Sequence, residues 1–175
     1  MRVALVQIVT GDLNHAGLVE KPLVDRARTK LVRDGSVRGW AETAWTGAGS
    51  GCSRFVLRQS FQDDTLCMAR SEADVSAVAD PNTGVAVYGP SFGSKSGWTV
   101  FGGTSVSAPI IAGIFGNKGV GASNAAGFWS TAGRAFLNDV TTGSNGSCGG
   151  LYFCTAGVGY DGPTGNGTPN GTGAF

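Results

Sequence analysis

Gly102-Gly103-Thr104-Ser105-Val106-Ser107-Ala108-Pro109-Ile110-Ile111-Ala112-Gly113-Ile114-Phe115 is the stretch on which the fold reading turns. Two glycines and a threonine precede a run of small and branched apolar residues, and proline falls in its first turns. That order predicts a helix start. The run carries no charge, so the helix it forms is expected to be apolar all round and buried. Ser105 stands at its beginning. A serine hydroxyl is a weak nucleophile at neutral pH and needs a base and an oxyanion-binding group. A helix N-terminus supplies free N–H groups and the positive end of a dipole for the second task. An isolated Gly-Thr-Ser would read as an ordinary helix cap. With Ser107-Ala108-Pro109 and an uncharged helix behind it, Ser105 reads as a nucleophile.

Upstream, Trp98-Thr99-Val100-Phe101 and Val85-Ala86-Val87-Tyr88 are strand candidates joined by the Gly- and Ser-rich stretch 89–97, which predicts a hairpin. Pro81-Asn82-Thr83-Gly84 is a turn signal after the small-residue run Ala73-Asp74-Val75-Ser76-Ala77-Val78-Ala79-Asp80. Residues 34–70, with Trp40 and Trp45 around Glu42, read as a loop with little regular structure. Leu18 to Arg33 mix apolar and charged residues as a surface helix would, and Val3 to Val9 form a strand candidate. From Gly143 onward glycine and asparagine dominate, and ordered loop is expected.

Composition removes several function classes. The 175 residues suffice for one domain with a core. Net charge is +1 and only 14% of residues are charged, so nothing favours nucleic-acid binding. No apolar run approaches a membrane span. Thirty glycines without a period exclude collagen and solenoids and imply many tight turns. The short apolar stretch near the N-terminus lacks the form of a secretory leader. Cys52, Cys67, Cys148 and Cys154 allow three pairings, of which Cys52 with Cys67 and Cys148 with Cys154 closes the shortest loops; four free thiols in a cytosolic protein is the competing reading. No Cys-x-x-Cys occurs and the single histidine, His15, is remote, which disfavours zinc.

The stretch Gly103 to Pro109 is shared by subtilases and sedolisins. Subtilases use a histidine base, and His15 lies in the least family-like segment, so a subtilase triad is the weakest reading. The run from Ala73 through Pro81 with Gly84 to Tyr88, and later Leu137-Asn138-Asp139-Val140-Thr141 with Thr155 to Gly165, resemble the sedolisin family of serine-carboxyl peptidases. The resemblance covers about residues 34–175, the C-terminal part of such a catalytic domain, and leaves residues 1–33 as an N-terminal segment with no clear match. It implies an α/β, partial subtilisin-like fold, with a mostly parallel sheet, flanking helices and long Gly-rich loops. It implies serine-type endopeptidase activity on peptide or protein substrates, with Ser105 forming the acyl-enzyme, and an exported, secreted location that agrees with paired cysteines. It also implies a Ca²⁺ site in which Asp139 and Asp161 give carboxylate oxygens and Val140, Gly157 and Gly159 give carbonyls. Mixed carboxylate and carbonyl oxygens are what Ca²⁺ takes. The bland alternative is that both aspartates only organise turns.

Sedolisins activate serine with a glutamate backed by an aspartate four residues away on one helix, and a further upstream aspartate helps form the oxyanion hole. None of the 12 acidic residues here has another acidic residue four positions later. The chain is therefore expected to be N-terminally truncated relative to the family and inactive alone. A parallel sheet lacking its early strands exposes an unpaired edge, so the chain alone is expected to be marginally stable or aggregation-prone. The alternative function is a non-catalytic, calcium-stabilised secreted binding domain, with Ser105 structural.

Overall fold

The computed structural model describes residues 26–90, 96–119, 125–149 and 151–175. His15 and the strand candidate Val3 to Val9 lie outside the described residues, as does the first part of the helix expected over Leu18 to Arg33. The chain runs β1 (Arg26–Arg33), β2 (Trp40–Ala44), β3 (Cys52–Leu57), β4 (Ala69–Ser71) and β5 (Val75–Val78). A 3-10 turn, Pro81–Thr83, leads to β6 (Val85–Pro90) and β7 (Ser96–Phe101). Then come α1 (Thr104–Lys118), α2 (Ala126–Trp129), α3 (Thr131–Arg134), β8 (Leu137–Asn138) and β9 (Thr168–Pro169).

The serine motif and the hairpin form as their sequences predict. α1 begins at Thr104, and β6 pairs antiparallel with β7 from Val85 opposite Phe101 to Pro90 opposite Ser96. The Pro81–Thr83 turn is capped by Asp80, whose carboxylate accepts the Asn82 N–H at 2.9 Å. Beyond Gly143 the described chain is loop apart from β9.

Four expectations are corrected. The sheet is not mostly parallel: β5 pairs parallel with β1, but β1–β2, β3–β4, β6–β7 and β8–β9 are antiparallel. Residues 26–33 are strand, not helix. The physical reason is tertiary. β5 is a buried run of small residues whose following amides need acceptors, and the Ala79 and Asp80 N–H groups both donate to Thr29 O, at 2.9 and 3.3 Å. Pairing of this kind overrides a weak local helical pattern. Residues 34–70 are not one irregular loop, since the loops there are interrupted by β2, β3 and the start of β4. Finally, α1 is buried along one side only. Val106, Ser107 and Ile111 are buried, while Ser105, Ala112, Gly113 and Gly116 are exposed. Uncharged small residues allow burial all round, but this chain brings packing partners to one face.

The three-stranded sheet has the order β2-β1-β5. The outer edge of β5 is covered by the C-terminal loop, because Ser76 N–H donates to Gly167 O and Asn166 N–H to Asp74 O, both at 2.9 Å. At the far edge the Ala44 N–H donates to Thr142 O at 2.8 Å. The β5 edge of this sheet is thus covered by the C-terminal loop, and the β2 edge is met at Ala44. α1 packs on this sheet through a core of Val75, Ala77, Ile111, Ala125, Phe128, Trp129 and Ala174. Phe115, Phe128 and Phe175 meet edge to face with ring centroids 4.8 to 6.0 Å apart, an arrangement aromatic quadrupoles favour. Cys52 bonds Cys67 and Cys148 bonds Cys154, with Cα atoms 5.5 and 5.7 Å apart. These are the two short-loop pairs, and the first ties β3 to the segment leading into β4.

Candidate active site and acidic loop cluster

The junction between β7 and α1 is built by two glycines with different duties. A Cβ on Gly102 would lie 2.5 Å from Pro81 Cα and N and 2.6 Å from Ala79 O, so the chain can pass here only without a side chain. Gly103 has φ of 86°, a left-handed value that favours glycine. Its N–H donates to Ala79 O at 2.6 Å, joining the helix start to the end of β5. Gly103 is the N-cap of α1, and no side chain caps the helix.

Ser105 is therefore not a capping residue. It is the second residue of α1, it is exposed, and among the described residues nothing hydrogen bonds to its hydroxyl. The Val106 and Ser107 N–H groups both donate to Gly103 O, at 3.0 and 3.5 Å, leaving the first two helix amides as donors with no helical partner. Free amides at the positive end of a 15-residue helix, beside an exposed hydroxyl, can hold a developing oxyanion. What is missing is the base. Among the described residues no Asp or Glu engages Ser105. The nearby Asp80 is buried, and its Oδ1 accepts from Asn82.

The second cluster lies in the loops around β8 and the segment 155–165. Asp161 is fully buried. Its Oδ2 accepts the Gly157 N–H at 3.0 Å, and its Oδ1 accepts both the N–H and the hydroxyl of Thr164 at 2.8 Å. Asp139 is exposed and accepts the Gly159 N–H at 2.8 Å. Val140 is buried, and its carbonyl accepts from the Thr164 hydroxyl at 3.5 Å. The fold thus gathers all five sequence-assigned residues, Asp139, Val140, Gly157, Gly159 and Asp161. Burial pushes the Asp161 carboxyl up to about 6, against the lowering effect of its hydrogen bonds, and the neighbouring Asp139 charge adds to the rise.

The Asp139 and Asp161 carboxylates are thus near enough to repel, with no Lys or Arg paired to either among the described residues. No group of three or more His, Cys, Asp or Glu side chains is assembled among the described residues, so a cation here would depend on main-chain carbonyls. Two carboxylates plus carbonyls are hard oxygen donors of the kind Ca²⁺ takes. The hydrogen bonds seen are also those of turn-organising aspartates.

A polar network that sequence reasoning did not single out lies beneath both clusters. Asp74, fully buried, forms an ion pair with the buried Arg70 and accepts the Trp129 indole N–H at 2.7 Å. Its own main-chain carbonyl accepts from the Asn166 main chain at 2.9 Å and side chain at 3.3 Å. The Ser71 hydroxyl donates to Asp64, and Tyr160, whose hydroxyl is driven to a higher pKa chiefly by burial, sits over Trp129 at 4.5 Å. A lone aspartate inside the apolar run Ala73 to Val78 was the available signal, since a charge there has to be paired.

No protein-family model matches the sequence, and no curated protein matches it. Among solved structures the chain is similar to Pseudomonas sedolisin, a serine-carboxyl proteinase, in complex with two molecules of pseudo-iodotyrostatin. The TM-score is 0.68 at 26% sequence identity, over 85% of this chain and 44% of that one. The chain thus spans less than half the length of that proteinase. The likeness supports a sedolisin-like fold.

Proposed function

We propose that this chain forms the C-terminal part of a serine-type endopeptidase of sedolisin type, with Ser105 as the residue that attacks the peptide carbonyl. The observation that carries the reading is the placement of Ser105. It is exposed in the first turn of α1, freed from capping by Gly103, beside amides that can bind an oxyanion. The similarity to a serine-carboxyl proteinase supports the same chemistry. In this reading the Ser105 oxygen adds to the carbonyl carbon, its proton passes to a carboxylate, and the amine leaves with a proton returned to it. None of the 12 acidic residues forms a Glu/Asp pair at four-residue spacing, so that carboxylate comes from outside these 175 residues. The chain alone is then inert or nearly so.

Calcium belongs to the same proposal. Asp139 and Asp161 would hold the ion with carboxylate oxygens, and Val140, Gly157 and Gly159 with carbonyls. Bound there, calcium would neutralise the two carboxylates and brace the loop. Secretion fits the two disulfides. The lack of any acidic partner on Ser105 among the described residues keeps one second reading, a calcium-stabilised secreted domain that binds without cleaving.

A denatured protein incubated with the chain from pH 3 to 7, with and without calcium and beside Ser105→Ala, tests the proposal. We expect no cleavage by the chain alone, and labelling of Ser105 by an acyl-type inhibitor would argue against the binding domain. Cleavage that disappears in Ser105→Ala would overturn the claim that the base lies elsewhere.

A further inference from the structure

The serine and the acidic loop cluster are separate in sequence, yet one strand holds both. At its start, β5 is gripped by the C-terminal loop. Asn166 donates to Asp74 O through its main chain at 2.9 Å and its side chain at 3.3 Å, and Ser76 N–H donates to Gly167 O at 2.9 Å. That grip is continuous with the acidic cluster, because Asp161 and Gly165 exchange main-chain hydrogen bonds at 3.1 and 2.8 Å and Asp161 also holds Thr164. At its other end, β5 grips α1. The hydroxyl of Ser107, fully buried, donates toward Ala77 O at 3.2 Å and Val78 O at 3.0 Å. Ala79 O takes the Gly103 N–H at 2.6 Å.

We infer that Ser107 is a positioning residue for Ser105, and that β5 relays the setting of the 161–167 turn to the first turn of α1 through Ser107 and Gly103. Three facts support a positioning role over simple packing. Ser107 spends a buried hydroxyl on two carbonyls at the end of one strand, where alanine would fill the same space without a polar atom. α1 has no side-chain cap, so its first turn is located by these contacts with β5. Among the described residues the Ser105 side chain makes no hydrogen bond that could locate it. The functional meaning of the relay rests on the reading of Ser105 as the reacting residue, but the geometry does not.

The test reads Ser105 without requiring proteolysis. All four native cysteines are in disulfides, so Ser105→Cys adds a single free thiol whose ionisation reports the amides and dipole of the first turn. Its reaction with an aromatic disulfide reagent is followed against pH, in calcium-free buffer, in the background of Ser107→Ala, Asn166→Ala or Lys118→Ala. Lys118 bonds Thr172 O at 2.9 Å at the far end of α1 and controls for general loosening. We expect the thiol titration to move upward in Ser107→Ala, with reaction at neutral pH about threefold slower, and to move the same way by less in Asn166→Ala. Lys118→Ala should leave it in place. If Ser107→Ala fails to fold, Asn166→Ala carries the comparison. An unchanged titration in the folded variants, or an equal shift in Lys118→Ala, would overturn the relay. Either result is independent of whether the chain cleaves peptides.

Discussion

Asp161 shows most directly how one side chain serves two tasks. It is buried without an ion-pair partner, and three donors from Gly157 and Thr164 close the turn around it. In chelator, the folded chain keeps its proton up to about pH 6, whereas the carboxyl's ordinary value is 3.8. Between those values the folded state binds more protons, so this residue lowers stability as pH rises from 3.8 through about 6 and holds it low above that. Asp161→Asn should flatten that part of a melting-temperature profile. At about pH 4, where the folded parent holds a neutral carboxyl, it should also cost about 1–3 kcal/mol, because an amide offers a donor where the Gly157 N–H needs an acceptor. Calcium at neutral pH should raise the melting temperature of the parent and not of the variant. A parent profile that does not change with calcium would remove the metal from the account. The serine was legible at this scale, since residue types and order mark Ser105. Its exposure and its release from capping were not, because both depend on how Gly103 is held.

Among the elements, the β7–α1 junction and the β3–β4 pair each rest on one tight feature. Gly102→Ala would push a methyl into Pro81 and Ala79 O, both main chain and unable to swing aside. The expected cost is about 1–3 kcal/mol in denaturant unfolding, with no matching loss for alanine at Gly113, where a Cβ meets nothing. Replacing Cys52 and Cys67 together by Ser should lose about 3 kcal/mol, since their bond closes a 15-residue separation. Removing the Cys148–Cys154 pair, with a separation of 6, should cost less in the same assay. The hairpin and α1 were readable because their signals are local: alternating apolar runs around a Gly-rich link, and glycines before an uncharged run. β1 was misread as helix because its strand state comes from Ala79 and Asp80, some fifty residues away, which need the carbonyl of Thr29.

For the whole molecule, the decisive feature is that β1 and β2 complete one side of the β5 sheet while the C-terminal loop covers the other. A chain beginning at residue 45 would leave β5 without β1 and expose the Ala79 and Asp80 amides. It should elute as aggregate in size-exclusion chromatography, while the parent melts cooperatively; equal behaviour would show that β1 contributes nothing to solubility. The likeness to a serine-carboxyl proteinase extends over 44% of that protein's chain. By itself the sequence determined the motif around Ser105, the absence of acidic pairs at four-residue spacing and the hairpin, because each is written in residue type and short spacing, whereas the candidate calcium residues came from the resemblance to sedolisins. Only the tertiary structure decided that α1 keeps one face open, that the sheet is largely antiparallel, and that Asp74, Asn166 and Ser107 join the acidic loop to the serine helix. Those outcomes depend on which distant main-chain groups satisfy one another, and no local pattern encodes the pairing of carbonyls and amides that lie far apart along the chain.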